Sequence, residues 1–230
     1  MADPMIEGIP LWVAETNAWI VAPNGPGGEC VIIDAPPDPR AIIERLQHHS
    51  LKLVALLSTH GHLDHIGGMG TMSRHGHDGD VPVHIHDDDK HMLLDPIGTS
   101  GGFGAMLEGS GLDLRAPELI YGLDDGEQVK GAGMTFTNLH TPGHTRGSTC
   151  FLLEMDGVPP ILFSGDHLFA GSIGRTDMPG GSFDQLMESM AEKILPLADE
   201  TAVLPGHGPT TTVGRERITN PFILELLADR

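Results

Sequence analysis

The residues with the clearest capacity for chemistry form one short cluster near position 60. Residues 59–65 read Thr-His-Gly-His-Leu-Asp-His, so four side chains able to bind a metal fall within six residues. In an extended segment, His60 and His62 point to the same side because side chains alternate with a period of two. A turn into a helix can redirect Asp64 and His65 toward a neighbouring point. Imidazole and carboxylate groups are good ligands for Zn²⁺, Fe and Mn²⁺, so this stretch can serve two adjacent ions.

Three further ligand-type residues follow predicted strands, and each lies beside a glycine: His144, Asp166 and His207. Glycine lets the backbone turn sharply, and loops at the ends of a rigid sheet are common positions for binding sites. The combined set predicts a two-metal hydrolytic centre, and a metal-free role fits such a tight cluster poorly. Its members are His60, His62, Asp64, His65, His144, Asp166 and His207.

The other candidates have competing interpretations. Isolated histidines among the 14 in the chain are expected to be solvated or hydrogen-bonded, and surface or core roles are preferred for His84 and His86. His167 adjoins Asp166, so a contact with a metal ligand and a purely structural role are both open. Arg175 is a candidate for binding a substrate carboxylate, and a structural salt bridge is the equal alternative. The isolated histidines expected to be solvated or hydrogen-bonded are His48, His49, His75, His77, His91 and His140.

Composition narrows the classes of partner and compartment. The formal charge of -19 repels phosphate backbones and anionic membranes, which disfavours a nucleic-acid or membrane partner. The segment Met1–Gly8 is acidic and poor in apolar residues, so we expect no signal peptide, and no apolar run is long enough to span a membrane. Cys30 and Cys150 are expected to be reduced, buried thiols in a cytoplasmic protein, with a single disulfide as the open alternative. Oligomeric state is not predicted.

The elements that must position these ligands alternate between strands and helices. Their order predicts one domain over residues 1–230, built as two half-domains (roughly 1–115 and 116–230) that meet near 112–125, with sheet packed on sheet and helices outside. The segment Pro96–Gly111 is rich in glycine and serine and is predicted to be a loop or lid. A plain surface loop is preferred, and one wall of a pocket is the alternative. The predicted strands are Leu11–Ala14, Ala18–Ala22, Cys30–Asp34, Leu51–Leu57, Val81–Ile85, Glu127–Val129, Met134–Leu139, Ser148–Met155, Pro160–Ser164 and Ala202–Leu204. The predicted helices are Asp38–His49, Leu63–Arg74, Asp88–Leu94, Phe183–Ile194 and Ile218–Leu227.

The histidine cluster and the strand-end ligands resemble the metallo-β-lactamase superfamily, whose motif T-H-x-H-x-D-H reads T-H-G-H-L-D-H here. The resemblance extends from Glu15 to Gly208. It implies an α/β fold of the αββα type, in which two mixed sheets pack face to face with helices outside and metals lie at one edge. It also implies that His60, His62 and His144 hold one metal, that Asp64, His65 and His207 hold a second, and that Asp166 bridges the two.

Within the superfamily the chain looks most like a short branch of the glyoxalase II group, which hydrolyses hydroxyacyl-thiol esters. The dinuclear β-lactamases carry Cys where this chain has Asp166, and the flavodiiron group has Glu where it has His62. Lactonases share the metal set. Typical glyoxalase II enzymes append a helical C-terminal domain that grips glutathione, which we expect to be missing here, and their basic and tyrosine contacts have no match. The stretch from Gly171 to Asp177 fits the short branch, although its G-R-T-D is also similar to persulfide dioxygenases.

The resemblance implies two divalent metal ions, with Zn²⁺ first and Fe or Mn²⁺ as alternatives. Ions about 3.5 Å apart would share a water whose hydroxide attacks a small-molecule thioester such as S-lactoylglutathione. Asp64 would both bind metal and orient this nucleophile. The alternatives are a persulfide dioxygenase with one iron on His60, His144 and Asp166, a lactonase or weak β-lactamase, and a metal-binding protein that is not an enzyme.

Overall fold

Several strands bury both of their faces, which places them inside a layered structure. In the computed structural model, which describes residues 4–107 and 109–228, the strand Thr16–Ala22 is buried at every residue. Trp19 and Val21 enter one apolar cluster, whereas Ala18 and Ile20 enter another. Because side chains alternate along a strand, both faces of this strand must be covered by packed elements.

The first sheet has six strands that pair in chain order. The first three strands are antiparallel, and the third to the sixth are parallel. Parallel strands end at the same edge, so the chain leaves them there at Asp34, Ser58 and Asp87. The strands are β1 (Met5–Leu11), β2 (Thr16–Ala22), β3 (Glu29–Ile33), β4 (Lys52–Leu57), β5 (Val83–His86) and β6 (Ile120–Leu123).

The second sheet is also mixed. Its strands are β7 (Gln128–Gly131), β8 (Met134–His140), β9 (Thr149–Leu153), β10 (Ile161–Gly165), β13 (Ala202–Pro205) and β14 (Thr211–Thr212), and the short hairpin β11 (Leu168–Phe169) and β12 (Ser172–Ile173) lies outside it. The order is β14-β13-β10-β9-β8-β7. Only the β10–β13 pair is parallel among the described strands of this sheet. Both of these strands therefore end at one edge.

Helices cover the outer faces of the two sheets. They are α1 (Arg40–His48), α2 (Leu63–Ile66), α3 (Met69–Ser73), α4 (Lys90–Leu94), α5 (Pro96–Thr99), α6 (Gly101–Leu107), α7 (Phe183–Ser189), α8 (Val213–Thr219) and α9 (Pro221–Ala228). A 3₁₀ turn over Asp87–Asp89 precedes α4, and a π-helical turn over Met190–Ile194 extends α7.

Three apolar clusters fill the spaces between these layers. The central one joins the facing sides of the sheets, for example Val31 with Phe136 and Phe163. The second packs the first sheet against α1 and α3, and the third packs the second sheet against α7 and the π-helical turn. The expected αββα sandwich of two mixed sheets is thus confirmed. None of the helices in the described parts of the chain has the length and apolar character to cross a membrane.

The prediction of a first strand over Leu11–Ala14 is wrong. The strand is Met5–Leu11, and its antiparallel register pairs Leu11 with Thr16, so the chain must reverse over residues 12–15. Trp12 and Glu15 adopt positive φ of 63° and 52° to make this turn, and Val13 is 78% exposed. The apolar run therefore marks a turn. The short strand β6 was also not predicted.

The predictions for three helical segments need correction. Pro96–Gly111 was predicted as a loop but forms α5 and α6 over most of its described length. The predicted helix Leu63–Arg74 is interrupted at Gly67 and Gly68, because the chain there packs so closely that a Cβ at Gly68 would lie 2.3 Å from the Pro36 carbonyl. The predicted helix Ile218–Leu227 is divided between α8 and α9, since Pro221 disfavours helical backbone at the residue before it.

Candidate metal centre

The predicted ligands meet where one edge of each sheet comes together. His60 and His62 follow β4, and the chain then enters α2, which carries Asp64 and His65. The remaining ligands follow strands of the second sheet: His144 after β8, Asp166 after β10 and His207 after β13. An isolated bridge between Thr16 and His207 joins the two sheets at this edge. The fold thus brings all seven predicted residues to one place.

His60, His62 and His144 form the first group, which we call the three-histidine group. Nδ1 of His62 lies 2.8 Å from Nε2 of His144 and 3.1 Å from Nε2 of His60. Their three rings are nearly perpendicular to one another, with interplanar angles of 83° to 87°. Perpendicular rings direct their in-plane lone pairs toward a common point. This arrangement fits a single divalent cation better than it fits hydrogen bonds among imidazoles.

Asp64, His65 and His207 form the second group, which we call the Asp-His-His group. Oδ2 of Asp64 lies 3.3 Å from Nε2 of His207 and 3.4 Å from Nε2 of His65. The same two imidazole nitrogens are 3.4 Å apart. The hydroxyl of Thr16 donates a hydrogen bond of 2.8 Å to Oδ2 of Asp64, which fixes that carboxylate. These residues could hold a second ion.

Asp166 lies between the two groups. Its Oδ2 is 3.5 Å from Nε2 of His144 and 3.5 Å from Nε2 of His207, so one carboxylate oxygen faces a member of each group. Its Oδ1 is buried and lies 3.4 Å from Nε2 of His65, but it has no hydrogen bond within residues 4–107 and 109–228. A buried carboxylate oxygen without a donor is costly unless a cation neutralises it. The position and the unpaired oxygen both suit a ligand shared between two cations.

The outer nitrogens of the histidines are hydrogen-bonded in a way that assigns their protons. Nδ1 of His144 donates to the carbonyl of Arg175 at 2.7 Å, and Nδ1 of His207 donates to the carbonyl of Ala14 at 3.1 Å. Nδ1 of His65 lies 2.7 Å from Oδ2 of Asp34. An acceptor on the outer side places the proton there and leaves Nε2 free as a lone-pair donor, the arrangement typical of metal-binding histidines.

Asp34 is a functional residue to which the sequence reasoning gave no role. Its carboxylate accepts hydrogen bonds from the backbone N–H of Thr59 at 2.8 Å, from the Thr59 hydroxyl at 2.7 Å, and from Nδ1 of His65. Nδ1 of His60 lies 3.1 Å from the same Thr59 hydroxyl, which donates to Asp34 and therefore accepts from the ring. One buried carboxylate therefore orients a histidine of each group. Its position directly after a buried strand was the available signal.

Asn17 is a second residue that was missed. Its side-chain amide donates to the carbonyls of Pro205 and Gly208, each at 3.0 Å, and so holds both sides of the turn that carries His207. The backbone N–H of Asn17 also donates to the carbonyl of Gly206 at 2.7 Å. These bonds connect β2 of the first sheet to a ligand loop of the second sheet.

The electrostatics of the centre favour protonation states that can bind a metal ion. Burial and the charges of neighbouring histidines lower the pKa of His60 well below its usual value, and lower the pKa of His62 to about 4. Burial alone would lower the pKa of His65, but the carboxylates of Asp64, Asp166 and Asp34 raise it. His60 and His62 are therefore neutral near pH 7, whereas the Asp-His-His group attracts positive charge, which a divalent cation can supply.

The remaining histidine candidates do not join the centre. His86, Asp88 and His140 lie close enough together to contact one ion. However, the rings of His86 and His140 are stacked 3.8 Å apart at an angle of only 11°, so their in-plane lone pairs run parallel and do not converge. His167 is buried, and neither ring nitrogen has a partner in the described parts of the chain. It therefore orients no ligand through a hydrogen bond.

The side chain of Arg175 forms an exposed, two-point ion pair with Asp177, with distances of 2.7 and 2.9 Å. This is the salt bridge that the sequence left open as an alternative, and substrate binding by Arg175 stays a prediction. The contribution of Arg175 to the centre comes from its backbone carbonyl, which accepts the hydrogen bond from His144.

Comparison with known proteins identifies relatives along nearly the whole chain. A model of the metallo-beta-lactamase superfamily matches residues 11–215. An uncharacterized protein of Mycobacterium tuberculosis is 40% identical over 224 residues, which cover 95% of this chain and 97% of that protein. The hydroxyacylglutathione hydrolase GloC of Haemophilus influenzae is 35% identical over 216 residues, covering 93% of this chain and 90% of GloC.

Solved structures with the same fold include two at more than 30% identity. The B3 metallo-beta-lactamase BLEG-1 aligns with a TM-score of 0.80 and 35% identity, covering 95% of this chain and 99% of BLEG-1. The protein TTHA1623, crystallised in a di-iron-bound form, aligns with a TM-score of 0.74 and 33% identity, covering 94% of this chain and 99% of that one.

Proposed function

Because the chain belongs to the metallo-β-lactamase superfamily, we propose that it is a two-metal thioesterase that hydrolyses hydroxyacyl-thiol esters such as S-lactoylglutathione. The observation that carries the proposal is the position of Asp166, with one oxygen 3.5 Å from a histidine of each of two complete ligand groups. The similarity to the hydroxyacylglutathione hydrolase of Haemophilus influenzae supports the choice of substrate class.

In this proposal His60, His62 and His144 would hold one ion, Asp64, His65 and His207 would hold the other, and Asp166 would be shared between them. Divalent ions bound there would lower the pKa of water toward neutrality and stabilise negative charge on the carbonyl oxygen of the substrate. We propose zinc as the metal, with iron or manganese as alternatives. The di-iron-bound relative is a reason to test iron with equal care.

The residues of the chain then have distinct tasks. His60, His65 and His144 are almost fully buried, so they fix the positions of the ligand groups and exclude water from behind the site. The side chains of Asp64 and His207 are 23% and 29% exposed, so substrate and water approach from their side. Burial alone would raise the pKa of Asp64, but the charge of His65, the neighbouring His207 and a hydrogen bond from Thr16 lower it. Asp64 therefore stays ionised and orients the attacking water by accepting a hydrogen bond from it.

The leaving group makes little demand on the protein. A thiolate is stable near neutral pH, so its departure needs no strong proton donor. Two buried, free cysteines suit a reducing cytoplasm, which we propose as the compartment of this enzyme.

Metal analysis combined with a thioester assay tests the proposal. We expect about two equivalents of metal per chain and hydrolysis of S-lactoylglutathione that is lost on chelation and regained on reloading. His62→Ala and Asp166→Ala should each abolish turnover while circular dichroism stays unchanged. His48→Ala, an exposed histidine of α1, is the matched control and should retain full activity. Fewer than two metals together with no thioester hydrolysis after reloading would contradict the proposal.

A β-lactamase is the second candidate, because BLEG-1 shares 35% identity and nearly full coverage with this chain. Hydrolysis of a chromogenic cephalosporin faster than that of any thioester would favour it. A mononuclear iron dioxygenase would not need the Asp-His-His group, which is complete here. Oxygen consumption with glutathione persulfide by a protein that binds one iron would support that alternative.

A further inference from the structure

A cleft opens directly beside the three-histidine group. Its volume is about 300 Å³, and its walls come from α4 and α5, from the loop after His144, and from the loop after Arg175. We call it the Arg146 cleft. It is large enough for part of a small ligand but smaller than most sites that enclose a drug-sized molecule. The lining includes His91, Met92, Thr99, Thr145, Arg146 and Pro179.

The cleft and the metal centre share a wall. Thr145 follows His144 directly, and its hydroxyl donates to Oδ2 of Asp89 at 2.6 Å. The same oxygen accepts the backbone N–H of Gly61, between His60 and His62, at 2.8 Å. Met92 packs so closely on Gly61 that a Cβ there would lie 2.7 Å from its side chain. These contacts place the cleft next to the chain segments that carry His60, His62 and His144.

Arg146 offers this cleft an uncommitted positive charge. Of the arginines in residues 4–107 and 109–228, six form ion pairs with carboxylates, and only Arg146 and Arg215 do not. Arg146 is exposed, and its guanidinium donates no hydrogen bond to a described residue. Two carboxylates also line the cleft. Asp89 is buried, and its two oxygens already accept three hydrogen bonds, whereas Asp88 is exposed but forms no ion pair with Arg146.

The backbone around Arg146 is held firmly while the side chain is free to bind. Nε2 of His140 lies 2.8 Å from the carbonyl of Arg146, which accepts its hydrogen bond. The next backbone N–H, that of Gly147, donates to Oδ1 of Asp89 at 2.9 Å. A fixed backbone reduces the entropy that the guanidinium loses when it orders around a ligand.

The negative charge of the whole chain makes a local cation important for binding an anionic substrate. A protein with a net charge of -19 repels anionic substrates at long range, so an anionic substrate needs a local cation to dock. Guanidinium groups match carboxylates with two parallel hydrogen bonds. Arg175, the cation predicted from the sequence for this task, is already paired with Asp177.

We propose that Arg146 and its cleft bind a carboxylate on the thiol half of the substrate, remote from the thioester, and so select small thiol carriers that bear a carboxylate. This proposal rests on the thioesterase function proposed above. Arg146 is a substrate-binding residue that determines specificity and takes no part in bond cleavage. The small volume of the cleft favours a peptide-like carrier over a nucleotide-bearing one.

The kinetic test compares substrates with and without the carboxylates. For the wild type and for Arg146→Met, kcat/KM is measured with S-lactoylglutathione and with the lactoyl thioester of N-acetylcysteamine, which is neutral. The ratio of the two values should fall by about 10- to 100-fold in Arg146→Met, through KM, because one charge-assisted interaction is lost. Arg146→Lys should recover part of the ratio. Arg215→Met, the other arginine without an ion pair, should leave the ratio unchanged.

A binding test separates this proposal from the thioesterase proposal. Calorimetry with S-hexylglutathione, a thioether that cannot be hydrolysed, should show weaker binding to Arg146→Met by a similar factor. Thioester hydrolysis with an unchanged ratio would overturn the carboxylate site and leave the thioesterase standing. Thioether binding that depends on Arg146, without any thioester hydrolysis, would support the carboxylate site and contradict the thioesterase proposal. If Arg146→Met instead impairs only lactoyl-coenzyme A, the bound group is a phosphate, and the carboxylate proposal is wrong.

Discussion

Asp34→Asn is the substitution that most directly tests how the metal centre is held together. Asp34 is 1% exposed, and its carboxylate accepts three hydrogen bonds, two from Thr59 and one from His65. Asparagine has the same shape and tolerates the left-handed backbone that Asp34 adopts at a φ of 59°. The change therefore removes a charge and an acceptor with little steric effect.

The expected magnitude follows from the two orientations of the new amide. If its NH₂ faces the backbone of Thr59, two donors oppose each other and one buried N–H loses its partner. If its NH₂ faces His65, the imidazole must move its proton to Nε2, the nitrogen that points at the candidate metal position. The first outcome costs about 1–3 kcal/mol of unfolding free energy in the metal-free protein. The second weakens metal binding by about 10- to 100-fold.

Two measurements report on these outcomes. Urea unfolding in the presence of a chelator gives the free energy of unfolding of the metal-free chain, and competition with a coloured zinc indicator gives the affinity for each equivalent of metal. Asp38→Asn is a matched control, because Asp38 also has a positive φ, of 60°, but its carboxylate pairs with the exposed Arg40. We expect Asp38→Asn to bind metal like the wild type. If Asp34→Asn binds two metals with unchanged affinity and is as stable as the wild type, the role assigned to Asp34 is refuted.

Three further substitutions or treatments have defined outcomes. Burial raises the pKa of the Cys30 and Cys150 thiols to about 12, so both should resist a thiol reagent at pH 8 until the chain is unfolded. The contribution of the neutral thiols to the free energy of unfolding is complete below about pH 9 and should be lost as the pH rises toward 12. His167→Leu should leave the free energy of unfolding unchanged or raise it by up to about 2 kcal/mol, because the imidazole is buried without partners in the described parts of the chain; a clear loss in urea unfolding would show that it has one. In Gly206→Ala the new Cβ would lie 2.4 Å from Oδ1 of Asp166, so metal affinity in the indicator assay should fall about tenfold or more with the circular dichroism spectrum preserved.

The parts of the fold that could be predicted are those that local sequence determines. The buried strands were predicted to within a few residues, because continuous apolar runs bounded by glycine and proline distinguish them. Strand β1 was misplaced because its residues are only partly buried and its position depends on pairing with β2. Helix α6 was missed because its glycines favour a loop.

In the site, too, the residues that local sequence determines could be predicted, and those that depend on distant contacts could not. The spacing within residues 59–65 is local, and it was sufficient to select all four of its candidate ligands. Asp34 lies 31 residues from the histidine that it orients, and Asn17 lies 188 residues from a carbonyl that it holds. No pattern in the sequence reports such a contact, because it exists only once two strand ends have been brought together. Residues that orient ligands are therefore harder to find than the ligands themselves.

The division of the ligands between the sheets has a consequence for stability. Residues from the first sheet, such as His62 and Asp64, face residues from the second, such as His144 and His207, across the edge where the sheets meet. A cation that touches both sides binds the folded chain and not the unfolded one, so it stabilises the sandwich by about 4 kcal/mol at a thousand times its dissociation constant. Without it, the edge contains closely spaced histidines and the unpaired oxygen of Asp166. The sheets are joined there by Asn17 and by the central apolar cluster, and these contacts must hold the ligand groups in position before metal arrives.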